Sequence, residues 1–481
     1  MDRSIEMRDE SIGKLLWSFS LPTIVGMVIN SLYNVIDRIF VGRGIGSVAI
    51  AATTVAFPIM IILMAVSLLI GVGATALISI RLGEQKQDEA ERVAGNAMTM
   101  LILLPAVFAV LFFLFAEPAL VLFGASEAVL PYAKDFVQII MLGSVFGSIS
   151  MGMNNFIRAE GNPRMAMYTQ ILGGVMNVVL NYLFIFTFSW GIKGSALATI
   201  TAQLISALWV LSYFFTGRSL VKIRARNLKP QMPVLASIMA IGFAPFAIQI
   251  ASSVQQLILN KTLQFYGGDM ALSAVGIIMS LSTLLFMPIL GVSQGAQPII
   301  GFNYGARQYD RVKETLKKGI LFGTAIALVG YAVINLWPAQ LVGLFSKGET
   351  ELTALTTHAM RIFFLLMPIA GFQILSSTYF QAVGKALKSA ILSLSRQLLL
   401  FLPLLLILPR FWGLEGVWRT APIADVLSLI LTAAFIYFEM KSLGREELKN
   451  QPELAGKELE GDQTPGGYKG PGEPDLVGEK P

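Results

Sequence analysis

The chain has 481 residues, 55% of them hydrophobic and 14% charged, with a formal net charge of +6 and a mean hydropathy of +0.67. A soluble domain of this length carries far more charge, so the composition assigns the chain to a bilayer. Cysteine is absent and histidine occurs once, at His358, which excludes disulfides, thiol chemistry and a histidine metal cluster.

An N-terminal segment, 1–14, mixes both charges, shows no small-residue cleavage site and is read as cytoplasmic rather than as a removed signal peptide. Apolar runs able to cross a hydrocarbon core, which takes about 20 helical residues, then fall at 15–41, 48–80, 93–115, 130–157, 165–188 and 194–216. A basic joint, 217–233, separates them from six more at 234–266, 270–303, 316–338, 354–382, 389–409 and 414–440. The runs 48–80 and 270–303 exceed one crossing and are expected as kinked single helices, since Pro58 and Pro288 interrupt them. Residues 441–481, rich in Gly, Pro, Glu and Lys, are expected to form an unstructured cytoplasmic tail. The expected fold is an all-α integral membrane protein of twelve helices, in lobes 15–216 and 234–440.

The two lobes repeat one another at an offset of 222 residues. Ser31 matches Ser253, Ala49 matches Ala271, Gly73-Ala74 match Gly295-Ala296, Gly83 matches Gly305, and Trp190-Gly191 match Trp412-Gly413. Recurrence of Gly and Trp at fixed places exceeds what shared apolar bias produces, and a duplicated membrane unit is the usual plan of a secondary transporter, with its substrate at the seam. An even number of helices per lobe makes the repeats parallel, related by an axis along the membrane normal. Joints after even-numbered runs hold most of the Lys and Arg, among them Arg81, Lys86, Arg158, Arg164, Arg224, Arg226, Arg311 and Lys385. By the positive-inside rule those joints and both termini face the cytoplasm of a cell membrane. The basic residues are spread over all inner joints, so nucleic acid is not an expected partner. No P-loop sequence is present, so ATP is not expected either.

Polar side chains within the apolar runs carry the functional information. Asp37 lies in the first run, and a carboxylate there is costly unless it faces a cavity or a partner. Asn177 and Asn181, four apart, share a face of the fifth run, and Thr199 lies in the sixth. The repeat serves as a control: the counterparts of these four are Leu259, Leu399, Pro403 and Ala421. Interhelical hydrogen bonding accounts for any one such residue, whereas a polar set confined to one lobe favours a cation site. Were the coupling ion sodium, these four would be its ligands. Tyr33, Asn34, Met64, Gln255, Gln256, Met287 and Gln373 are candidates for a substrate cavity at the seam, with packing as the alternative for the methionines. Arg396 and Asp425 lie in the last two runs, where they form either a structural charge pair or, through Asp425, a substrate or proton site.

Several stretches resemble the multidrug and toxic compound extrusion (MATE) family: SLPTIVGMVINSLYNVIDRIFVG, the joints LGEQKQDEAERV and YGARQYDRV, FIRAEGNPRMA with its repeat YFQAVGKALKS, and FWGLEGVWRTAPIAD. The resemblance covers nearly all of residues 10–440. It implies a V-shaped pair of six-helix bundles that expels cationic and aromatic compounds by alternating access, driven by proton or sodium entry. Asp37 then corresponds to the family's first-helix carboxylate, with Asn177, Asn181 and Thr199 at the polar positions around it. Position 181 is Asn where some members have Asp, which leaves the ion open. Where some members have carboxylates in the seventh and tenth helices, the candidates here are Gln255, Gln256 and Gln373, so a second acidic site is not expected.

The leading expectation is therefore a monomeric exporter of lipophilic organic cations, in contact with membrane lipids and without catalytic residues or a cofactor beyond the coupling ion. A lipid-linked sugar flippase and a non-transporting scaffold or receptor are the alternatives.

Overall fold

The computed structural model describes residues 7–123, 125, 127–343 and 350–461. The first six long helices are α1 Ile12–Gly44, α2 Ser47–Gly83, α3 Gln87–Leu114, α4 Leu130–Ala159, α5 Pro163–Tyr182 and α6 Gly191–Phe215. A π-helical turn, Leu183–Thr187, extends α5. The second six are α7 Met232–Gly268, α8 Met270–Gly305, α9 Tyr309–Leu336, α10 Thr350–Phe363 with Met367–Ala382, α11 Ala386–Trp412 and α12 Leu414–Gly461. Among the described residues eleven helices are long and apolar enough to span a membrane, and α10, bent by 43° between its two parts, makes twelve. Pro58 and Pro288 lie inside single helices, α2 and α8. The break in α10 has a local cause: Pro368 lacks an N–H and disfavours helical geometry at Met367, so the chain passes through a short 3₁₀ turn before resuming. Gly268 separates α7 from α8 at φ 62°, a conformation open to glycine.

The described residues divide into two units, meeting between Ile436 and Tyr437. In the second, helix α12 continues to Gly461 through Glu-, Leu- and Lys-rich sequence of good helix propensity, within the stretch read from sequence as tail. Residues 462–481 of that tail, and 1–6 of the N-terminal segment, lie outside the described residues.

The repeat is visible as reciprocal packing. A Cβ on Gly83 would strike the Phe302 carbonyl, and one on Gly305 would strike the Ile80 carbonyl. Both pairs are related by the same 222-residue offset, as are the approaches of Gly73 to Gly242 and of Gly295 to Ser20. One backbone contact thus occurs twice about a pseudo-two-fold axis, and α2 crosses α8 too closely for any side chain at these points. Within the first lobe, Gly143 against Ile200 and Gly147 against Gln203 bring α4 onto α6 in the same way.

The segment preceding each lobe is tied to the other lobe. Before α1, Arg311 donates to the carbonyls of Glu10 at 2.7 Å and Met7 at 3.2 Å. Before α7, the joint is held by two buried carboxylates. Glu91 pairs with Arg224 at 2.7 Å, and Glu160 accepts from Ser219 Oγ and Leu220 N, both at 2.7 Å. Burial raises the pKa of Glu160 against the opposing effect of these donors. A raised pKa contributes stability that is complete below the ordinary glutamate value, about 4.3, and is lost as pH rises through the folded-state value. Glu160→Gln keeps an acceptor without the buried charge. Its melting temperature, measured in detergent, should therefore match the native chain in acid and exceed it at alkaline pH; an unchanged difference across pH would contradict this.

Candidate functional site

In the first lobe, helical spacing stacks Asn177 above Asn181 on the buried face of α5, where they are 4% and 0% exposed. Asn181 Nδ2 donates to Asn177 Oδ1 at 3.0 Å, and Asn177 Nδ2 donates to Thr199 Oγ1 on α6 at 3.4 Å. Thr199 gives its own proton to the Ser195 carbonyl at 3.1 Å. Asn181 Oδ1 and Ser195 Oγ are buried without a hydrogen-bond partner among the described residues. The π-helical turn of α5 begins just after Asn181; such insertions re-aim side chains and recur at functional sites.

Asp37 joins this level of the bundle through the register of α1 and α5. A Cβ on Gly174 would meet Ile29 at 3.1 Å and Tyr33 at 3.5 Å, while Phe40 packs on Tyr182 and Phe186 with ring centroids 6.3 and 5.5 Å apart. The two helices therefore run side by side in the same direction. Asp37 lies between Tyr33 and Phe40 on the stripe of α1 that faces α5, level with the Asn177–Asn181 pair. Its side chain is half-buried. The side chains of Asn34 and Arg38 lie outside the described residues.

At the seam, an open cavity of about 610 Å³ is lined by Phe57 from α2, Gln256 and Asn260 from α7, and Leu272, Val275, Gly276, Met279, Ser280 and Thr283 from α8. Gln256 Nε2 donates to Asn260 Oδ1 at 2.8 Å, one turn on. Of the residues expected from sequence to form a cavity, Gln256 lines this one; Tyr33, Met64, Gln255 and Met287 are not among its lining side chains. Gln373 instead donates to the backbone carbonyl of Asp425 at 3.0 Å. Sequence reasoning missed Asn260, Gly276, Ser280, Thr283 and Phe57. A signal existed, since Gln256 and Asn260 on α7, and Ser280 and Thr283 on α8, are polar residues at helical spacing in apolar runs.

Arg396 Nε donates to Asp425 Oδ1 at 2.5 Å. Arg396 sits in a second π-helical turn, Ser395–Phe401, within α11, and its side chain is 42% exposed against 11% for Asp425. Arg158, which sequence reading counts as a joint charge, is buried at the end of α4, where it donates to Asn155 and across to Gln294 of α8 at 2.7 Å. Among the described residues no three His, Cys, Asp or Glu side chains cluster to hold a metal ion, so a cation beside Asp37 would be held by one carboxylate and neutral oxygens.

Comparison with known proteins accords with this architecture. The MatE family profile matches residues 22–183 and 245–407, one match in each repeat. The multidrug export protein MepA of Staphylococcus haemolyticus is 26% identical over 434 residues, covering 90% of this chain and 95% of its own. The solved structure of the MATE multidrug transporter DinF-BH is 38% identical with a TM-score of 0.83, covering 89% of this chain and 96% of that one. An outward-facing multidrug resistance MATE transporter of the MOP superfamily shares the fold at a TM-score of 0.86 and 24% identity, over 92% of this chain and 99% of its own. With its twelve-helix fold, its internal repeat and a match to both of its lobes, the chain belongs to the MATE family of multidrug efflux transporters.

Proposed function

We propose that this transporter exports lipophilic organic cations from the cell by alternating access, in exchange for protons or sodium ions that bind at Asp37. The observation that carries this reading is the asymmetry of the seam. The lobes are locked backbone to backbone where Gly83 and Gly305 lie, beside joints whose Lys and Arg assign them to the cytoplasm. The 610 Å³ cavity lies towards the other ends of α7 and α8, and its size suits a drug-sized ligand. This arrangement is an outward-open state, ready to release drug and take up an ion.

The Asp37 level supplies the ion site. Asn181 Oδ1 and Ser195 Oγ, buried and lacking hydrogen-bond partners among the described residues, together with Thr199 Oγ1 are oxygen donors suited to a hard cation. A proton on Asp37 would relieve the same buried charge, so the two ions compete. Ion binding then favours one packing of α1 against α5 and changes the cavity's affinity for drug, the differential that coupling requires. A lipid-linked sugar fits less well, because among the described residues no cationic side chain lines the cavity to take its phosphate.

The cavity assignment has a direct test in Gly276. A Cβ there meets nothing within 4 Å, so Gly276→Leu fills the cavity without a clash in the fold. Export of a fluorescent cation should fall by roughly tenfold or more at unchanged abundance and melting temperature. Export at the native rate would remove the cavity from the transport path.

A further inference from the structure

Among the described residues the lining of the cavity contains no carboxylate and no cationic group; four polar side chains with assigned hydrogen-bond roles line it. Ser280 Oγ donates to the Gly276 carbonyl at 2.9 Å, and Thr283 Oγ1 donates to the Met279 carbonyl at 3.0 Å. A hydroxyl has one proton, and these are committed to the backbone of the preceding turn. Towards the cavity both groups therefore present only lone pairs. On the facing helix Gln256 gives an amide proton to Asn260 and keeps its own carbonyl oxygen. The wall thus offers three acceptor oxygens, from Ser280, Thr283 and Gln256, beside the Asn260 amide and the second Gln256 amide proton as donors. Phe57, 47% exposed, supplies an aromatic face from the first lobe.

Resting on the assignment of this cavity as the drug site, we propose that it selects among aromatic cations for those bearing N–H groups, such as primary and secondary amines, amidines and protonated ring nitrogens, over cations whose nitrogens are fully alkylated. An N–H cation entering the cavity gives up hydrogen bonds to water and recovers them on the acceptor wall. A fully alkylated cation has nothing to donate, and entering it would displace water from these lone pairs without replacing its hydrogen bonds. Selection of this kind depends on the pattern of acceptors, since the described residues of the wall carry no charge.

The test uses the purified full-length protein and two dyes with the same tricyclic ring and positive charge. Proflavine carries amino N–H groups, whereas the ring-methylated acridine orange cation has every N–H replaced by N–CH₃. Binding is read by fluorescence polarisation for the native chain, for S280A/T283V and for G276L, each checked for melting temperature. Ser→Ala and Thr→Val keep the shape of the wall and delete its lone pairs. Proflavine affinity should fall about tenfold in S280A/T283V, the combined effect of two net hydrogen bonds, while the methylated dye binds as before. Comparing variant with native for each dye cancels their intrinsic difference in lipophilicity. Equal loss for both dyes, or loss for neither, would overturn the proposal; should the double variant not fold, S280A alone gives the same comparison at about threefold. The G276L arm separates the two readings: if it leaves both dyes bound as in the native chain, the cavity is not the drug site. If it weakens both while S280A/T283V does not discriminate between them, the site stands and the acceptor rule fails.

Discussion

Asp37→Asn should abolish ion-driven export while leaving a folded protein that still binds drug. The change removes a charge with almost no change of shape, at a position half-buried between Tyr33 and Phe40. The packing of α1 on α5 through those two residues is untouched, so abundance and melting temperature should remain close to native. On the proposed mechanism, what is lost is the group whose occupancy the ion changes, and with it the differential drug affinity of the two states. Coupling free energies of this kind amount to a factor of up to about 100, so concentrative export under an ion gradient should fall by roughly that much. Purified Asp37→Asn protein, matched for incorporation and exporting at the native rate under the same gradient, would defeat the assignment.

Breaking the Arg396–Asp425 pair should reduce folded protein in either single change. Arg396→Gln strands a carboxylate that is 11% exposed, and Asp425→Asn strands a guanidinium within the apolar run of α11. The first should cost about 3 kcal/mol, the range for breaking a buried pair. The second also leaves an unpaired charge in the bundle and should lower the melting temperature as well. The double change to Gln and Asn leaves no unpaired charge and should recover part of the loss, a coupling that a double-mutant cycle on melting temperature measures directly. Normal abundance with abolished transport in Asp425→Asn alone would instead make Asp425 a binding residue.

The parts of this molecule visible in sequence are those set by strict periodicity or by cost. The repeat was legible because Gly83 and Gly305 occupy crossings where no side chain fits, so each lobe needs the same residue at the same place. The Asn177–Asn181 contact followed from helical spacing, and the Arg396–Asp425 pair from the expense of a lone charge in hydrocarbon. The cavity was harder to read. Ser280 and Thr283 are hydroxyls of a kind that occurs throughout membrane helices, satisfied by their own backbone, and only the three-dimensional seam shows that they share a wall with Gln256 and Asn260. Gln373 is a cavity candidate by its polarity, and its amide donates to the Asp425 carbonyl. Arg158 is read from sequence as a topological charge, while the structure buries it. The bend in α10 depends on Pro368 acting at one position of an otherwise continuous apolar run.

The central claim is that an ion gradient drives drug movement through this chain. Its most direct test is a proteoliposome assay with the purified protein, in which proton and sodium gradients are imposed separately and accumulation of a fluorescent organic cation is followed. Concentrative transport under at least one of the two gradients, collapsing when that gradient is dissipated, is the result predicted here. Equilibration of the dye at the same rate with and without either gradient, or no movement of dye under both, would contradict it.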